Sequence, residues 1–546
     1  MQYKYGIDFG TTNSSIAIRF MGSDDNEHTY VLTLKDTLPR EVIPSVVLVN
    51  KKGTIYAGQE AVEYNYQHND RKNDFKFIKK IKLDLENNGN NLEYHLGNKT
   101  ISGIDLIAAI LKVLRIKADK GIEELGIDVS GVVMGVPVQY GDVQKNIMKE
   151  ALVRAGFYKN ITEANEKTEF VSEPIAVAVH YGLNLKQDKT VLIFDFGGGT
   201  LDLAVVNLKH QITDDILHPH ETLAKGRITL GGEELTKTFF INCFCKKYGV
   251  SRIAKEFRLN IDISSEELWG KLLETRDGIR LIEKLEQCKC ELSKSFKSTF
   301  HFIGRDVQLK EKDFFRDEFQ DAISEQLDEI DDLIEQTLED ADIHDRYDID
   351  RVILASGSSL IPCIQDILIS KFGSSKVASK LNENDQYINK IKRIKVSEHE
   401  VLTSIVRGLA MVGCKEESLI DDVVDSDYGV WDSVKDDLII IIPKGIPVKE
   451  TFINRISLEG QNINVECVNN NLGTVEVIVY QRVYKNYKRV LQELGKINFH
   501  NTRGSKYQIF MQIDKKQGSL EVVIYDLKRN RWIDEIPLQQ RVFNIT

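Results

Sequence analysis

Asp195-Phe196-Gly197-Gly198-Gly199-Thr200-Leu201-Asp202 is the most informative stretch of this sequence, and apolar runs at 190–194 and 203–206 flank it. Two such runs joined by glycines predict a hairpin whose tip is bare backbone, so that main-chain N–H groups can approach an anion closely. The aspartates at either end bring negative charge to the same place. Carboxylates beside a bound phosphate require a cation such as Mg²⁺ between them. An ordinary glycine-rich turn is the alternative for this octapeptide alone.

A second copy of this pattern lies near the N-terminus. The sequence Tyr5-Gly-Ile-Asp8-Phe9-Gly10-Thr11-Thr12-Asn13-Ser-Ser-Ile-Ala-Ile18 is again an apolar run, a turn rich in hydroxyls and another apolar run. The repeated Asp-Phe-Gly-x-x-Thr core predicts two related half-domains, each of which offers a phosphate-binding hairpin to one ligand. No helix is expected directly after either hairpin, and the sequence contains no Gly-x-x-x-x-Gly-Lys-Ser/Thr motif, which argues against a P-loop arrangement.

Length and composition limit the remaining classes. The 546 residues predict about two to four domains, and 42% hydrophobic with 28% charged residues is typical of a water-soluble protein. The net charge of −11 argues against a general binder of nucleic acid or of anionic membranes. Because the first strand is expected within five residues of the N-terminus and no apolar run is long enough to span a membrane, we expect a cytoplasmic protein.

Other segments are candidates for the same site. Glu173 precedes a proline at a predicted helix start, where an acid either complements the helix dipole or faces an attacking water. Glu286, Lys289 and Ser293 share one face of a helix predicted within residues 264–299, a pattern that also fits an exposed, ion-paired surface. After the strand at 351–355, the turn at 356–359 has the layout that holds a ribose or phosphate on backbone N–H groups.

The composition changes beyond residue 414. The acidic segment 416–427 is too short and too charged for a core element, so it is interpreted as a linker. After it, apolar and polar residues alternate at 475–480, 507–514 and 520–526, with turn residues between them. This pattern predicts an all-β module of roughly a hundred residues.

These motifs resemble the seventy-kilodalton heat-shock protein (DnaK-type) chaperones, within the actin-like ATPase superfamily. The resemblance rests on Gly6-Ile-Asp-Phe-Gly-Thr-Thr-Asn-Ser14, Glu173-Pro174, the 195–202 hairpin and Leu230-Gly231-Gly232-Glu233. It implies an α/β protein with an actin-like, two-lobed ATPase domain, a duplicated ribonuclease-H-like unit, over residues 1–414. A linker at 415–427 and a β-sandwich, substrate-binding-like domain at 428–546 would follow. The chain ends at Thr546, where the family's helical lid would begin, so we expect no lid and fast exchange of bound peptides.

The resemblance also implies ATP or ADP, Mg²⁺ and K⁺ as cofactors. The residues expected around the metal ions are Asp8, Glu173, Asp195 and Asp202, and Thr200 is expected near K⁺ as well. The catalytic residues expected are Lys79, which would orient the hydrolytic water, with Lys80 as the alternative, and Glu173, Asp195 and Thr200. The nucleotide-binding residues expected are Gly10, Thr11, Thr12, Asn13, Gly197, Gly198, Gly199, Thr200, Gly231, Gly232, Glu286, Lys289, Ser293, Gly357 and Ser358.

One departure from the family concerns the base. Cys290 and Leu360 stand where the family sandwiches adenine between two arginines. Without those guanidinium planes cation–π stacking is lost, so we expect ATP to bind mainly through its phosphates, more weakly or with less selectivity for the base.

The function expected from the resemblance is that of an ATP-hydrolysing chaperone, in which nucleotide state regulates polypeptide binding by the β domain. Its expected partners are polypeptide clients, a J-domain-type co-chaperone and a nucleotide-exchange factor, with no nucleic acid or membrane. Two alternatives remain: a nucleotide-dependent scaffold with negligible hydrolysis, and a small-molecule kinase of the same superfamily. The kinase is disfavoured because the β module has no role in that chemistry.

Overall fold

The structure is a computed structural model of the chain. It describes residues 3–21, 27–31, 42–67, 74–89, 92–125, 128–137, 140, 142–182, 187–209, 220–305, 307–378, 398–412, 420–423, 427–432, 437–442, 447–448, 474–485, 488–500, 507–514, 519–526, 528–533 and 542–544. No helix within these ranges is both long and apolar enough to cross a membrane.

The architecture is mixed α/β, with several sheets. The strands, in chain order, are β1 (Tyr3–Phe9), β2 (Asn13–Met21), β3 (Glu27–Val31), β4 (Ile43–Pro44), β5 (Val47–Asn50), β6 (Ile55–Ala57), β7 (Phe75–Ile78), β8 (Glu93–Leu96), β9 (Lys99–Ser102), β10 (Val129–Val136), β11 (Thr168–Ser172), β12 (Lys189–Phe196), β13 (Leu201–Leu208), β14 (His220–Ile228), β15 (Lys297–Ile303), β16 (Gln308–Phe315), β17 (Arg351–Ala355), β18 (Val377–Ala378), β19 (Ile420–Val423), β20 (Asp427–Asp432), β21 (Asp437–Ile442), β22 (Pro447–Val448), β23 (Thr474–Lys485), β24 (Lys488–His500), β25 (Tyr507–Asp514), β26 (Ser519–Asp526), β27 (Arg531–Trp532) and β28 (Val542–Asn544).

The described helices lie within roughly the first three-quarters of the chain. They are α1 (Gln59–Gln67), α2 (Ile81–Asn88), α3 (Gly103–Leu125), α4 (Asp142–Ala155), α5 (Ile161–Lys167), α6 (Glu173–Gly182), α7 (Gly232–Phe239), α8 (Cys245–Tyr248), α9 (Val250–Glu256), α10 (Ser265–Leu273), α11 (Arg276–Lys294), α12 (Arg316–Ala322), α13 (Ser324–Asp340), α14 (Pro362–Phe372) and α15 (Glu398–Val412). A π-helical turn covers Phe240–Phe244, and 3₁₀ turns cover Arg346–Asp348 and Gly357–Leu360.

Both sequence-predicted hairpins are confirmed, and they occupy corresponding places in two large sheets. In the first sheet, of order β11-β10-β1-β2-β3 with β4 beside β2, β1 pairs antiparallel with β2 and parallel with β10. In the second, of order β18-β17-β12-β13-β14-β19-β22, β12 pairs antiparallel with β13 and parallel with β17. The first strand of each hairpin, β1 or β12, therefore has one antiparallel and one parallel neighbour. This agreement is expected of two related half-domains.

Two helices, α6 and α15, join the two sheets. A small apolar core contains Val133 of the first sheet, Ile193 of the second, and residues of both helices. The packing leaves no room for side chains at its closest points: a Cβ added at Gly408 would lie 1.7 Å from the Ala176 carbonyl oxygen, and one at Gly6 would lie 2.4 Å from the Ala410 nitrogen. The remaining faces of the two sheets carry separate, larger cores.

Two long helical segments expected from the sequence are interrupted in the structure. The expected helix within 264–299 is divided into α10 and α11, because the Thr275 side chain accepts a hydrogen bond from the Gly278 N–H and starts a new helix. The segment then becomes strand β15 at Lys297. The sequence of 313–342 also predicts helix; its helices begin at Arg316, after β16, and a break at Ile323 separates α12 from α13. Both segments are therefore helical over most of their length, with one interruption in each.

The described C-terminal residues form strands, as the alternating pattern predicted. One sheet has the order β21-β20-β23-β24, and a second contains β25, β26, β27 and β28. Residues of both sheets, including Val479 and Val522, share one apolar core. The resemblance implies substrate loops within 428–473, and most of that segment, namely 433–436, 443–446 and 449–473, lies outside the described residues.

The acidic segment interpreted as a linker contains a strand. Ile420–Val423 forms β19, which pairs parallel with β14 through His220 and Glu221 and antiparallel with β22. That the segment is a linker stays a prediction; the strand shows that part of it is extended and completes a sheet edge without an apolar core of its own. This strand links the second large sheet to the C-terminal region.

Candidate active site

The tips of the two hairpins pack against each other. A Cβ added at Gly198 would lie 1.8 Å from Thr12 Oγ1, and one at Gly199 would lie 2.8 Å from Thr11 Oγ1. A Cβ at Gly10 would lie 2.3 Å from the Asn13 carbonyl oxygen, so the first hairpin is equally tight. The structure thus brings together the hydroxyls of one hairpin and the bare backbone of the other, an arrangement suited to an anion.

Residues of the second lobe pack against the 197–199 tip. The Gly232 N–H donates to the Gly197 carbonyl at 3.0 Å, and Ser358 Oγ donates to the same carbonyl at 2.8 Å. A Cβ at Gly231 would lie 2.3 Å from the Gly198 carbonyl oxygen. Gly357 begins the 3₁₀ turn that carries Ser358. The two glycines at the start of α7 and this turn are therefore placed around the hairpin, as the sequence indicated.

Helix α11 contributes two of its three expected side chains to this region. Lys289 Nζ donates to the Gly232 carbonyl at 2.5 Å and pairs with Glu286 Oε2 at 2.8 Å. Glu286 also accepts a hydrogen bond from the Thr236 hydroxyl. Ser293 Oγ instead donates to the Lys289 carbonyl, 3.2 Å away on its own helix. The structure therefore brings Lys289 to Gly232 and Glu286 to Thr236 of α7, whereas the Ser293 hydroxyl does not reach α7.

Four carboxylates lie beneath the hairpin tips. Asp195 and Asp202 are opposite each other in the hairpin register, Asp8 is the next-to-last residue of β1, and Glu173 begins α6. Burial, together with the charge of Glu173, raises the pKa of Asp8 to about 7. Burial, Glu173 and Asp202 likewise raise the pKa of Asp195 well above its ordinary value. The cluster therefore carries more negative charge than its surroundings neutralise.

The hydrogen bonding of these carboxylates shows whether a divalent cation fits the site. Asp195 Oδ1 and Asp202 Oδ1 are buried and have no hydrogen-bond partner within the described part of the chain. Among those residues, no three His, Cys, Asp or Glu side chains stand close enough to hold a metal ion directly. Mg²⁺ prefers oxygen ligands, usually a few carboxylates completed by water and phosphate oxygens. The buried, unpartnered carboxylate oxygen of Asp195 fits an ion held in that way.

The lysine that reaches this cluster is Lys82, which the sequence interpretation did not name. Its ammonium group pairs with Glu173, and both side chains are less than one-tenth exposed. Burial alone would lower the pKa of Lys82, but Glu173 and Asp8 outweigh that effect and raise it, so the amine stays protonated. Lys79 and Lys80 lie elsewhere: their amines are 3.0 Å from Glu283 and Glu233, respectively.

The amines of Lys79 and Lys80 therefore pair with other acids in this structure, and that one of them orients the hydrolytic water stays a prediction. Lys79 and Lys80 lie between β7 and α2, and the chain turns so that Ile81 is fully buried. Lys82, the second residue of the helix, consequently faces the cluster. The pattern that could have revealed it is the pair Lys82 and Glu86 at i, i+4, interleaved with the buried Ile81 and Leu85.

A second charged pair was also missed by sequence reasoning. Arg227 of β14 is the register partner of Asp202, and its Nη1 lies 3.6 Å from Asp202 Oδ1. Its Nη2 donates to Glu86 Oε2 of α2 at 2.7 Å, and the side chain is only 6% exposed. Burial would lower the pKa of Arg227, yet Asp202 and Glu86 hold it above its ordinary value. Asp202 Oδ2 accepts the Thr200 hydroxyl at 2.8 Å.

Ser356 has a strained backbone beside the same cluster. Its φ of 60° and ψ of 160° belong to a region that is essentially restricted to glycine. The backbone is held by its N–H, which donates to the Val401 carbonyl at 3.1 Å, and by its carbonyl, which accepts the Ser359 hydroxyl at 2.6 Å. The Ser356 hydroxyl hydrogen-bonds to the Asp195 carboxylate and partly offsets the rise in its pKa.

The two positions that depart from the family differ in their surroundings. Cys290 is exposed on α11, with its thiol 3.9 Å from Glu286 Oε1. Leu360 is half-buried and packs against the core of the second lobe. Neither side chain supplies a planar cation for stacking against a base.

Comparison with known proteins identifies the family. The family model described as Hsp70 protein matches residues 4–389. The chain belongs to the Hsp70 family. This membership implies an actin-like, two-lobed ATPase fold followed by a β domain, and the mixed α/β architecture with several sheets is consistent with it.

Similar curated proteins are chaperones by name. The chain is 26% identical over 473 residues to the chaperone protein DnaK of Thermosipho melanesiensis, covering 84% of this chain and 69% of that protein. It is 27% identical over 489 residues to the DnaK of Thermosipho africanus, covering 88% and 70%. Against the dnaK of Trieres chinensis it is 28% identical over 387 residues, covering 67% and 56%.

Proposed function

We propose that this protein is an ATP-dependent molecular chaperone that hydrolyses ATP with Mg²⁺ at the two hairpins. Nucleotide state would then control the binding of polypeptides by the C-terminal β region. The observation that carries the proposal is the close approach of the two hairpin tips above buried carboxylates, with the protonated Lys82 among them. The names of the curated relatives and the family membership support it.

The chain's own groups account for most of the chemistry required. Phosphoryl transfer depends chiefly on positioning and on neutralising charge. The hydroxyls of Thr11 and Thr12 and the backbone at 197–200 would hold the terminal phosphates. Bound Mg²⁺ would supply positive charge between the phosphate oxygens and the Asp8 and Asp195 carboxylates.

The pair of Lys82 and Glu173 would orient the attacking water. The Glu173 carboxylate accepts hydrogen bonds from the water, and the Lys82 ammonium stabilises negative charge that develops on the transferred phosphoryl group. Because the two side chains already pair with each other, both groups are held in position before the nucleotide arrives. The base would be held mainly by the Glu286 and Lys289 region, without the stacking arginines.

The domain division and the partners are further parts of this proposal. The ATPase domain would cover residues 1–414, the linker 415–427 and the β-sandwich, substrate-binding-like domain 428–546. Family membership supports a cytoplasmic location, polypeptide clients, a J-domain-type co-chaperone and a nucleotide-exchange factor. The strand β19, which pairs with β14, offers a physical route between the nucleotide site and the β region.

Single-turnover hydrolysis of ATP tests the enzymatic part of the proposal. We expect Mg²⁺-dependent turnover by the wild type, none in EDTA, and a loss of about tenfold or more in Thr200→Ala, which removes a hydroxyl at the hairpin tip. Thr299→Ala is the matched control, because the Thr299 hydroxyl bonds to Asp313 on an exposed hairpin. Absence of Mg²⁺-dependent turnover by the wild type would favour the nucleotide-dependent scaffold.

The affinity for a fluorescent model peptide, with and without ATP, tests the chaperone part. We expect ATP to weaken peptide binding, since coupling between two sites must change the affinity of one when the other is filled. An affinity that ATP leaves unchanged would argue against nucleotide control. A small-molecule kinase would show neither peptide binding nor an effect of ATP on it.

A further inference from the structure

Both carboxylate oxygens of Asp202 lie near polar groups of the chain itself. One carboxylate oxygen accepts the Thr200 hydroxyl at 2.8 Å, and the other lies 3.6 Å from Arg227 Nη1. Its side chain is 2% exposed and that of Arg227 6% exposed, so the two opposite charges face each other away from water. A guanidinium is charged at every accessible pH, so this positive charge is permanent.

The guanidinium of Arg227 retains hydrogen-bonding capacity on the side of Asp202. Its Nε and Nη1 are buried and have no hydrogen-bond partner among the described residues, whereas Nη2 donates to Glu86. Buried donors without acceptors are unusual, because a desolvated and unpaired donor destabilises the folded state. The arginine is thus anchored at one nitrogen and presents its others to the carboxylate cluster.

Helix α2 fixes this arginine relative to the first hairpin. Lys82 and Glu86 are one turn apart on α2; Lys82 pairs with Glu173, and Glu86 pairs with Arg227. A chain of ion pairs therefore runs from Glu173 through α2 to Asp202. Arg227 is shared by Glu86 and Asp202, and it is the cation at the Asp202 end of this chain.

A monovalent metal ion does not fit beside Asp202 under these conditions. The resemblance to the family places K⁺ near Asp202 and Thr200, but the guanidinium already stands at the free carboxylate oxygen. A second cation there would be repelled at close range in a medium of low polarity. The residues around Asp202 therefore do not fit a potassium site.

We propose that Arg227 supplies from within the chain the monovalent positive charge at Asp202, so that the site works without K⁺. The statement about hydrolysis without K⁺ rests on the proposed function, whereas the statement that Arg227 supplies the charge at Asp202 does not. Glu86 positions Arg227, and Arg227 in turn positions Asp202 and the Thr200 hydroxyl. Nucleotide binding and hydrolysis are then the same in potassium as in an organic cation too large to enter.

Thermal unfolding of the nucleotide-free protein tests the charge directly. Wild type, Arg227→Gln and Arg227→Lys are compared in EDTA in KCl and in tetramethylammonium chloride at equal ionic strength. The Tm of the wild type is expected to be the same in both salts. Arg227→Gln is expected to have a Tm higher in KCl by about 2 °C or more, because K⁺ then binds beside Asp202 in the folded state alone. Arg227→Lys retains the charge and should resemble the wild type.

Arg154→Gln serves as the matched control, because Arg154 is an arginine of the surface that pairs with Asp105 and Glu150. It should show no difference between the salts. A K⁺-specific rise in the Tm of the wild type overturns the inference, and so does an Arg227→Gln variant that folds but shows no such rise. If Arg227→Gln does not fold, the wild type and Arg227→Lys decide, and a K⁺-specific rise in either one contradicts the proposal.

Single-turnover hydrolysis in the same two salts separates this inference from the proposed function. The wild-type rate should agree within about twofold, since screening by the two salts is matched. A wild type that hydrolyses ATP only in KCl overturns the inference and leaves the ATPase standing. A wild type inactive in both salts refutes the ATPase, while the unfolding data still decide the role of Arg227.

Discussion

The ammonium group of Lys82 and the carboxylate of Glu173 form a buried ion pair that joins α2 to the first turn of α6. Removing one partner of a buried pair typically costs about 3–5 kcal/mol, because the other charge is left without compensation. Replacing either residue is therefore expected to destabilise the protein, because each charge depends on the other for compensation.

Replacing Asp8 by Asn should stabilise the protein in EDTA at pH 8. The pKa of Asp8 is about 7 in the folded, nucleotide-free protein, above its ordinary value of 3.8. Between those values the folded state binds more protons than the unfolded state, so the stability contributed by this group falls as pH rises and is lost above about pH 7. Urea unfolding from pH 4 to 8 should show a smaller decline in Asp8→Asn than in the wild type.

Asp313→Asn is the control for that experiment, with the opposite sign. Asp313 is exposed, and hydrogen bonds from Thr299 and Lys297 lower its pKa, so its contribution to stability grows as pH rises. Mg²⁺ should stabilise the wild type at pH 8 and have less effect on Asp8→Asn. A wild type whose stability does not fall between pH 4 and 7 by more than that of Asp8→Asn would contradict the raised pKa.

Replacing Ser356 by Gly should raise the free energy of unfolding relative to Ser356→Ala. Both variants lose the hydroxyl that bonds to the Asp195 carboxylate, so the difference between them reports the backbone alone. The observed φ and ψ cost a non-glycine residue about 1–3 kcal/mol, and glycine removes that strain while losing about 0.5–1 kcal/mol in backbone entropy, so urea titration should favour Ser356→Gly by about 1 kcal/mol. Ser359→Gly, in the neighbouring 3₁₀ turn, should instead destabilise, because it removes the hydroxyl bonded to the Ser356 carbonyl. A Ser356→Gly variant that is no more stable than Ser356→Ala would show that the backbone is not strained.

Replacing Cys290 by Arg should improve binding of the base. Cys290 is exposed beside Glu286, so an arginine there can lie over a nucleotide base, and cation–π contact would tighten ATP binding by about threefold to tenfold. Competition with a fluorescent nucleotide measures both ATP and GTP. The wild type should bind them with similar affinities, and Cys290→Ser should leave this unchanged. A wild type that prefers ATP strongly, at nanomolar affinity, would refute the expectation.

Leu360→Arg is expected to behave differently from Cys290→Arg. Because Leu360 packs against the core of the second lobe, an arginine there must either bury its charge or displace neighbours. We expect a lower Tm and no gain in affinity. An Leu360→Arg variant that is as stable as the wild type and binds ATP more tightly would show that this side chain faces the base.

Replacing Asp421 by Pro should uncouple the β region from the nucleotide. Asp421 pairs with Glu221 in the β19–β14 ladder, and proline removes a backbone donor and disfavours pairing. We expect faster proteolysis within 415–427 and loss of the effect of ATP on peptide affinity. Asp421→Ala keeps the backbone N–H and should behave as the wild type. Unchanged coupling in the proline variant would exclude β19 as the connection.

The two hairpins could be predicted from the sequence, but the buried cations Lys82 and Arg227 beside them were not. Each Asp-Phe-Gly turn is local, so its residues determine its conformation directly. Lys82 could not be distinguished from Lys79 and Lys80, because the choice depends on where α2 begins. Arg227 was missed because its position opposite Asp202 depends on the pairing of β13 with β14, which contains an irregularity at Val205 and Val206.

Other residues were missed for reasons of the same kind. Nothing in the sequence distinguishes Ser356 from the other small residues of its turn. Its strained backbone conformation depends on a hydrogen bond to the distant Val401 carbonyl, which the local sequence does not predict. The segments 264–299 and 313–342 have helical sequence patterns. Capping by Thr275 starts a new helix in the first segment, and the pairing of β15 with β16 replaces helix at its end and at the start of the second. Tertiary contacts therefore overrode local propensity at these positions.

Single-turnover hydrolysis of ATP by Lys82→Ala and Lys79→Ala tests the central claim most directly. Lys82→Ala should lose about a hundredfold or more in rate, because the ammonium group that faces the reacting phosphate is removed. Lys79→Ala should stay within about threefold of the wild type, since its ion pair with Glu283 is partly exposed and contributes little. Calorimetric ATP binding establishes that each variant is folded. A Lys79→Ala variant that loses activity while Lys82→Ala retains it would contradict this account of the site.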